Sequence, residues 1–211
     1  MRLQESTITA LIFDFGGVVL NLDEQRTYNQ LIELLQLRKE ELQKKLLHTN
    51  IFYDFECGKI TSQEFISYIH SISTTPISDE QIISAWNAML LDLPQQHVQL
   101  LQTLKKKYRT FLLSNTNAIH EDSFVRSIKQ EYDMTLQDMF EKVWYSHVLG
   151  LRKPNKDIFI EISHLAQLKP EQTLFLDDRE ENIATANELG FKTQLISKHC
   201  GILDVFSDFL V

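Results

Sequence analysis

A largely apolar run, residues 8–13, lies near the start of the sequence, and hydrophobic and polar positions do not alternate along it. A short continuous run of this kind predicts a strand that is buried on both faces, as in a parallel sheet. Asp14 follows at once, and Gly16 and Gly17 come directly after it. Glycine allows a tight or left-handed turn and lets a ligand approach the main chain. A carboxylate at the carboxyl end of such a strand occupies the place where open α/β sheets bind their ligands.

The hydrophobic pattern becomes helical between residues 22 and 92. Leucine and isoleucine recur there at helical spacing, and almost no segment alternates as a strand does. Thr61 to Glu64 has the spacing of a capping box, and Ser78 to Gln81 opens a further predicted helix. We therefore expect a helical insertion after the first strand. Aromatic side chains that could face either its core or a pocket are Phe52, Tyr53, Phe55 and Trp86.

Strands and helices alternate from Pro94 onward. Four more strands are predicted, at residues 110–113, 143–146, 173–176 and 192–196. A less regular helical stretch is expected over residues 119–140, and Pro154 is expected in the first turn of a helix that ends near Leu165. Gly190 is expected to end the helix that begins at Glu181.

This alternation predicts the α/β class, with a Rossmann-like, doubly wound parallel sheet and a small inserted helical cap. Residues 1–21 and 93–211 are expected to form the core domain, and residues 22–92 the cap. The chain of 211 residues, 43% of them hydrophobic, is long enough for one such domain with an insertion.

Charge and cysteine content exclude several classes of function. The formal net charge of −8 argues against nucleic acid or an anionic membrane as the main partner, since both require a basic face. No apolar stretch approaches the length that spans a bilayer. Cys57 and Cys200 lie far apart and lack metal-binding spacing, so we expect free thiols in a reducing, cytoplasmic environment.

Polar side chains of complementary types follow the predicted strands. They are Asp14, then Ser114 and Asn115, then Arg152 and Lys153, then Asp177 and Asp178. Because the carboxyl ends of parallel strands meet at one edge of a sheet, we expect these side chains to lie together. One carboxylate could attack phosphorus, a hard cation such as Mg²⁺ would bind carboxylate and carbonyl oxygens, and the lysine would offset negative charge. The set therefore favours phosphoryl transfer through an aspartate.

These motifs resemble those of the haloacid dehalogenase-like superfamily, in order and in spacing, over nearly the whole chain. The four segments are residues 12–18, 112–117, 150–154 and 175–178, the last followed by 181–190. The pattern is most similar to the branch of α-D-glucose-1-phosphate phosphatases and the N-terminal phosphatase domain of epoxide hydrolases. The resemblance implies a hydrolase that cleaves small phosphomonoesters, such as sugar phosphates, with Mg²⁺ and through an aspartyl-phosphate.

The resemblance also implies roles for the acidic residues. Asp14 would be the nucleophile and a ligand of Mg²⁺. The backbone carbonyl of Gly16 and the carboxylate of Asp178 would complete the protein's metal ligands. Asp177 would be a weaker ligand, acting through water, or would orient Lys153.

Three further polar residues would bind the phosphate or hold the site. Ser114 and Asn115 would contact the phosphate, and Lys153 would balance the charge of phosphate and nucleophile. Asn182 would order the loop of the fourth motif. The implied partner is a small phosphorylated molecule, and the sequence specifies no oligomeric state.

One position departs from the superfamily pattern. Most of its phosphatases carry a second aspartate two residues after the nucleophile, where it protonates the leaving oxygen and later activates water. Here that position is Gly16, which can do neither. The nearest substitutes in the sequence are Asp23, Asn117 and His120.

Three functions stay open because of this glycine. The first is a slow phosphatase that uses another group or bulk water. The second is a metal-independent 2-haloacid dehalogenase, which the retained pair Asp177 and Asp178 disfavours. The third is a non-catalytic protein that binds a phosphoryl ligand or a partner without turnover.

Overall fold

The computed structural model describes residues 7–47 and 49–209, and within them five strands form one parallel sheet. The strands are β1 (Ala10–Phe13), β2 (Arg109–Ser114), β3 (Lys142–Tyr145), β4 (Thr173–Asp177) and β5 (Lys192–Leu195). They lie in the order β3-β2-β1-β4-β5, so the chain winds outward from the central β1 in both directions. This order confirms the predicted α/β class with a doubly wound parallel sheet.

The register of β1 places the ends of three strands side by side. Phe13 pairs with Leu112 of β2 and with Leu176 of β4. The next residue, Asp14, donates its backbone N–H to the carbonyl of Leu176 at 2.8 Å. Asp14 therefore leaves the sheet beside the carboxyl ends of both neighbouring strands.

Helices lie between the strands and on both faces of the sheet. The insertion after β1 contains α1 (Glu24–Leu35), α2 (Lys39–Leu47), α3 (Ile51–Glu56), α4 (Ser62–Ile72) and α5 (Asp79–Asn87). The rest of the chain contains α6 (Gln95–Lys105), α7 (Ala118–Tyr132), α8 (Ser146–Leu149), α9 (Lys156–Ala166), α10 (Glu180–Glu188) and α11 (Ile202–Val205). None of the helices in the described part of the chain is long and apolar enough to cross a membrane.

The two faces of β1 pack into two different apolar clusters. Leu11 and Phe13 pack with residues of α6, α7 and α11, whereas Ala10 and Ile12 pack with residues of α9 and α10. The alternation follows from the two-residue period of a strand. All four side chains are almost completely buried, which explains why residues 10–13 include no polar side chain.

The helical insertion has an apolar cluster of its own. Buried residues of α1 to α5 form it, together with Ile119 of α7. Thr61 and Ser78 form the predicted capping boxes at the starts of α4 and α5. The division into a core of 1–21 and 93–211 and a cap of 22–92 stays a prediction, and residues 1–6, 48, 210 and 211 lie outside the described residues.

One expectation about the second half of the chain is wrong. Pro154 is not in the first turn of α9, because Asn155 caps that helix by accepting a hydrogen bond from Asp157 N. The peptide bond between Lys153 and Pro154 is cis. The less regular helical stretch expected over residues 119–140 consists of α7, which ends at Tyr132 where Asp133 takes a left-handed conformation with φ 52°, and a short 3-10 helix at Leu136–Asp138.

Candidate active site

The ammonium group of Lys153 lies at the centre of the site. Its Nζ donates to Asp14 Oδ1 at 2.6 Å, to Asp177 Oδ2 at 2.7 Å and to the carbonyl of Leu113 at 2.9 Å. These bonds use all three N–H donors of the lysine, which is only 1% exposed. The acceptors follow or belong to the adjacent strands β1, β4 and β2, so the sheet topology fixes the position of the cation.

Asn115 holds the main chain of Lys153 in place. Its Nδ2 donates to the carbonyl of Lys153 and its Oδ1 accepts from the N–H of Lys153, both at 2.9 Å. The side-chain amide is therefore engaged with the protein, and its predicted contact with phosphate stays a prediction. Ser114, the last residue of β2, lines the same cavity as Asp14 and Lys153.

Both carboxylate oxygens of Asp177 have partners within the chain. Oδ1 accepts from the backbone N–H of Arg179 and from Asn182 Nδ2, each at 2.9 Å, and Oδ2 accepts from Lys153. The residue is completely buried. Because both oxygens are occupied, Asp177 is better suited to orienting Lys153 than to binding a metal ion directly.

Asp178 is exposed, and its carboxylate lies against Gly17. A Cβ atom at position 17 would come within 2.5 Å of Asp178 Oδ2, and Gly17 has φ +80°. Glycine is thus required there for the backbone conformation and for the close approach of the carboxylate. The turn after β1 consequently brings Asp178 to the same cavity wall as Asp14 and Gly16.

Burial and mutual repulsion set the protonation of this cluster. The pKa of Asp14 is raised to about 7, because burial, with help from the charges of Asp177 and Asp178, outweighs the opposing effect of Lys153. Burial would lower the pKa of Lys153, but Asp14 and Asp177 outweigh it, so the pKa of Lys153 is raised. Burial, followed by repulsion from Asp177, raises the pKa of Asp178.

The donor set fits a hard divalent cation. Three carboxylates face the one buried lysine, so the cluster carries excess negative charge that a cation would offset. Asp14, Asp178 and the carbonyl of Gly16 offer oxygen ligands, the type that Mg²⁺ prefers. Within residues 7–47 and 49–209, no three His, Cys, Asp or Glu side chains form a complete metal site, so solvent or substrate oxygens would complete the coordination.

A cavity of about 200 Å³ lies above this cluster. We call its strand-end side the floor, and the side formed by the helical insertion the roof. The floor includes Asp14, Gly16, Ser114, Asn115, Arg152, Lys153, Asp178 and Arg179. The roof includes Leu22, Glu24, Glu56, Trp86, Met89 and Leu90.

Trp86 is the one of the four aromatic candidates that lines the cavity. Phe52 and Phe55 pack in the apolar cluster of the insertion. Tyr53 is 42% exposed, and its ring lies 5.5 Å from the guanidinium carbon of Arg152. The roof is therefore partly aromatic, but most of the aromatic surface of the insertion is core.

None of the three candidates for the missing acid is a free proton donor at the cavity. Asp23 does not line the cavity and caps α1 by accepting from Gln25 N. Asn117 accepts from Trp86 Nε1 and from the N–H of His120. His120 accepts from Asn117 at Nδ1 and donates from Nε2 to the carbonyl of Trp86, each at 3.1 Å. Burial lowers the pKa of His120 to about 4, so it is neutral near pH 7.

Sequence reasoning missed two ion pairs between floor and roof. Arg152 lies 3.1 Å from Glu56 of α3, and Arg179 pairs with Glu24 of α1. The sequence feature that could have indicated the first pair is Gly58, which has φ +64°. A Cβ atom there would come within 2.1 Å of the carbonyl oxygen of His147, so only glycine allows this close contact. A glycine two residues after Glu56 thus marks the place where the insertion contacts α8.

The chain matches the family model of haloacid dehalogenase-like hydrolases over residues 8–190. It belongs to the haloacid dehalogenase-like hydrolase family. This match confirms the resemblance drawn from the four motifs and identifies the protein as a hydrolase.

Related proteins match over most of the chain. A D-ribitol-5-phosphate phosphatase from Bacteroides thetaiotaomicron is 29% identical over 186 residues, which cover 88% of this chain and 90% of the relative. A crystal structure of a haloacid dehalogenase family enzyme from that organism has a TM-score of 0.88 and 34% identity, covering 94% of this chain and 98% of that chain. Another crystal structure of that enzyme, a complex with magnesium and inorganic phosphate, has a TM-score of 0.83 and 35% identity, covering 90% and 94%.

Proposed function

We propose that this hydrolase is a Mg²⁺-dependent phosphatase that cleaves small sugar or polyol phosphates through an aspartyl-phosphate at Asp14. The observation that carries the proposal is the contact of Lys153 Nζ with Asp14 Oδ1 at 2.6 Å, on the floor of the cavity beside Asp178. The phosphatase name of the ribitol-phosphate relative, and the magnesium and phosphate in the related structure, support the reaction class.

The residues of the floor have distinct roles in this proposal. Asp14 attacks phosphorus with Oδ2, while Lys153 holds Oδ1 and reduces repulsion between the carboxylate and the phosphate. Asp14, Asp178 and the carbonyl of Gly16 would hold Mg²⁺, which when bound neutralises charge on the phosphoryl oxygens. Ser114 and Asn115 line the same cavity, and in our proposal they bind those oxygens. As the Asp14–phosphorus bond forms, the ester P–O bond breaks and the alkoxide leaves, taking a proton from solvent. Water then attacks phosphorus, which releases inorganic phosphate and restores the carboxylate of Asp14.

The roof limits the leaving group. In our proposal residues 22–92 form the cap over the core of residues 1–21 and 93–211. The charges of Glu24 and Glu56 are matched by those of Arg152 and Arg179, so the upper cavity favours a neutral leaving group. A cavity of about 200 Å³ suits an alcohol of few carbons. The relative that acts on a pentitol phosphate supports a small polyol.

Gly16 offers no proton to the leaving oxygen. We therefore expect faster turnover for esters whose leaving group is stable as an anion, such as aryl phosphates, than for alkyl phosphates. The two cysteines are free thiols, which supports the cytoplasmic location that we propose for the enzyme.

Phosphate release from a panel of sugar and polyol phosphates, with and without Mg²⁺, tests this function. We expect release with Mg²⁺, loss of it in Asp14→Asn, and a phosphorylated Asp14 in acid-quenched wild-type enzyme by mass spectrometry. Asp23→Asn is the matched control, since Asp23 lies outside the cavity. Halide release from 2-haloacids without metal would favour a dehalogenase. Binding of phosphate analogues without turnover of any ester would favour a non-catalytic protein.

A further inference from the structure

Two buried polar atoms at the junction of floor and roof lack a hydrogen-bond partner among the described residues. They are Oε2 of Glu56 and Nε of Arg152. Oε2 lies 3.1 Å from Nη1 of Arg152, within ion-pair distance but without the alignment of a hydrogen bond. Because buried polar atoms in native proteins are nearly always bonded, an open acceptor beside an open donor calls for a partner.

Glu56 and Arg152 face the cavity, and other groups pack against them from outside it. Both residues line the cavity, and their side chains are 27% and 30% exposed. The ring of Tyr53 lies 5.5 Å from the guanidinium carbon of Arg152, and Gly58 fixes the end of α3 against the backbone of His147. By contrast, the Arg179 pair with Glu24 is about half exposed, so water can satisfy it.

We propose that Glu56 and Arg152 together bind a hydroxyl group of the leaving alcohol and select polyol phosphates over plain alkyl phosphates. A hydroxyl donates one hydrogen bond and accepts others, so it matches an open carboxylate oxygen beside an open N–H. The proposal rests on the proposed phosphatase function, because phosphate bound at Asp14 would direct the alcohol toward the roof. It requires both terminal groups to rotate into the cavity on binding.

The charge state of Glu56 agrees with this role. Burial raises the pKa of Glu56, and the charge of Arg152 opposes that effect. A hydroxyl that donates to the carboxylate would stabilise its ionised form in place of lost water. Substrate binding thus supplies the hydrogen bond that the free protein lacks.

The test compares glycerol phosphate with n-propyl phosphate, which has the same chain length without free hydroxyls. We measure kcat/KM for both esters in wild type, Glu56→Gln and Arg152→Lys. The ratio of the two values should fall about tenfold in Glu56→Gln, the difference expected between a charged and a neutral hydrogen bond. Arg152→Lys keeps the charge but removes the Nε donor, and should lower the ratio as well.

Asp54→Asn is the matched control. It removes a carboxylate from the same helix, where Asp54 pairs with Lys59 at 3.3 Å and does not line the cavity. Its ratio should equal that of wild type. Thermal unfolding checks that each variant is folded.

Other outcomes overturn the proposal in separable ways. An equal loss for both alkyl esters, with aryl phosphate unaffected, would make Glu56 a general acid. An equal loss for all esters would make the pair a structural contact between cap and core. A wild-type enzyme that cleaves no phosphoester would remove the proposed function itself, and this inference with it.

Discussion

The floor of the cavity and its junction with the roof differ in how completely their buried polar atoms are hydrogen-bonded. On the floor, Lys153 makes three hydrogen bonds, and both oxygens of Asp177 are occupied. At the junction, Glu56 and Arg152 form an ion pair in which one buried atom of each residue has no hydrogen-bond partner among the described residues. The difference teaches that the strand ends complete their own network, whereas an acceptor from the insertion and a donor from the core stay open where the two meet.

The physical origin of the contrast lies in the scaffold. Adjacent parallel strands hold Asp14 and Asp177 in fixed register, so their side chains can share one cation. Charges that are held in place in this way suit a reaction step that is the same for every substrate. The roof comes from helices whose side chains contact the floor through ion pairs, so its groups can differ without disturbing the sheet.

The largest expected effect comes from breaking the floor network at Lys153. Lys153→Met leaves the buried carboxylates of Asp14 and Asp177 uncompensated. We expect a loss of about 3–5 kcal/mol in the free energy of unfolding at pH 7, and a fall of about 100- to 1,000-fold in phosphatase kcat. Urea unfolding and phosphate release measure the two quantities.

Lys156→Met is the control for that experiment, because Lys156 forms an exposed ion pair with Glu188 on the surface. It should change the free energy of unfolding by less than about 1 kcal/mol. Equal stability losses in the two variants would show that the floor network is no stronger than a surface pair.

The next effect concerns His120, a buried residue of α7 that lines the cavity beside Trp86 and stacks on its ring. Its pKa is lowered from 6.5 to about 4, so folding excludes the proton. Below pH 6.5 the unfolded chain binds a proton at His120 that the folded chain does not, so the free energy of unfolding decreases as the pH falls toward 4. The expected decrease is about 3 kcal/mol, and above pH 6.5 this effect is absent. Urea unfolding between pH 7 and 4 should show a flatter profile for His120→Gln than for wild type. The exposed His199→Gln should keep the wild-type slope, and an unchanged slope in His120→Gln would contradict the expectation.

A smaller effect is expected on the pH dependence of Mg²⁺ binding at the floor. Because the pKa of Asp14 is raised to about 7, a proton and Mg²⁺ should compete for this carboxylate. The affinity for Mg²⁺, measured by calorimetry, should be constant well above pH 7 and should weaken by about tenfold per pH unit below it. Asp14→Asn should remove most of this dependence. A wild-type affinity that is constant from pH 5 to 8 would be inconsistent with a protonated Asp14.

The smallest effect is expected at the outer edge of the roof. Arg179 and Glu24 form an ion pair in which each side chain is 51% exposed. A double-mutant cycle of Arg179→Gln and Glu24→Gln, followed by urea unfolding, should give a coupling free energy of at most about 1 kcal/mol that decreases with added salt. A larger, salt-independent value would place this pair in the same class as the floor network.

The candidate residues of the floor were largely predictable from the sequence. A buried apolar strand followed by Asp14, and a second one followed by Asp178, place carboxylates at one edge of any parallel sheet. The helical insertion was predictable from its periodicity and its capping boxes, because both signals are local. Pro154 was placed wrongly, because the helix start is set by the side chain of Asn155 and not by the proline.

By itself, the sequence determined the alternation of strands and helices and the identity of the strand-end residues, because both depend on neighbouring positions along the chain. Only the tertiary structure decided that Asn115 binds the main chain of Lys153 and that both oxygens of Asp177 are occupied. It alone brought Glu56 to Arg152. Hydrogen bonds between distant residues depend on how helices pack over the sheet, and periodicity carries no information about that packing.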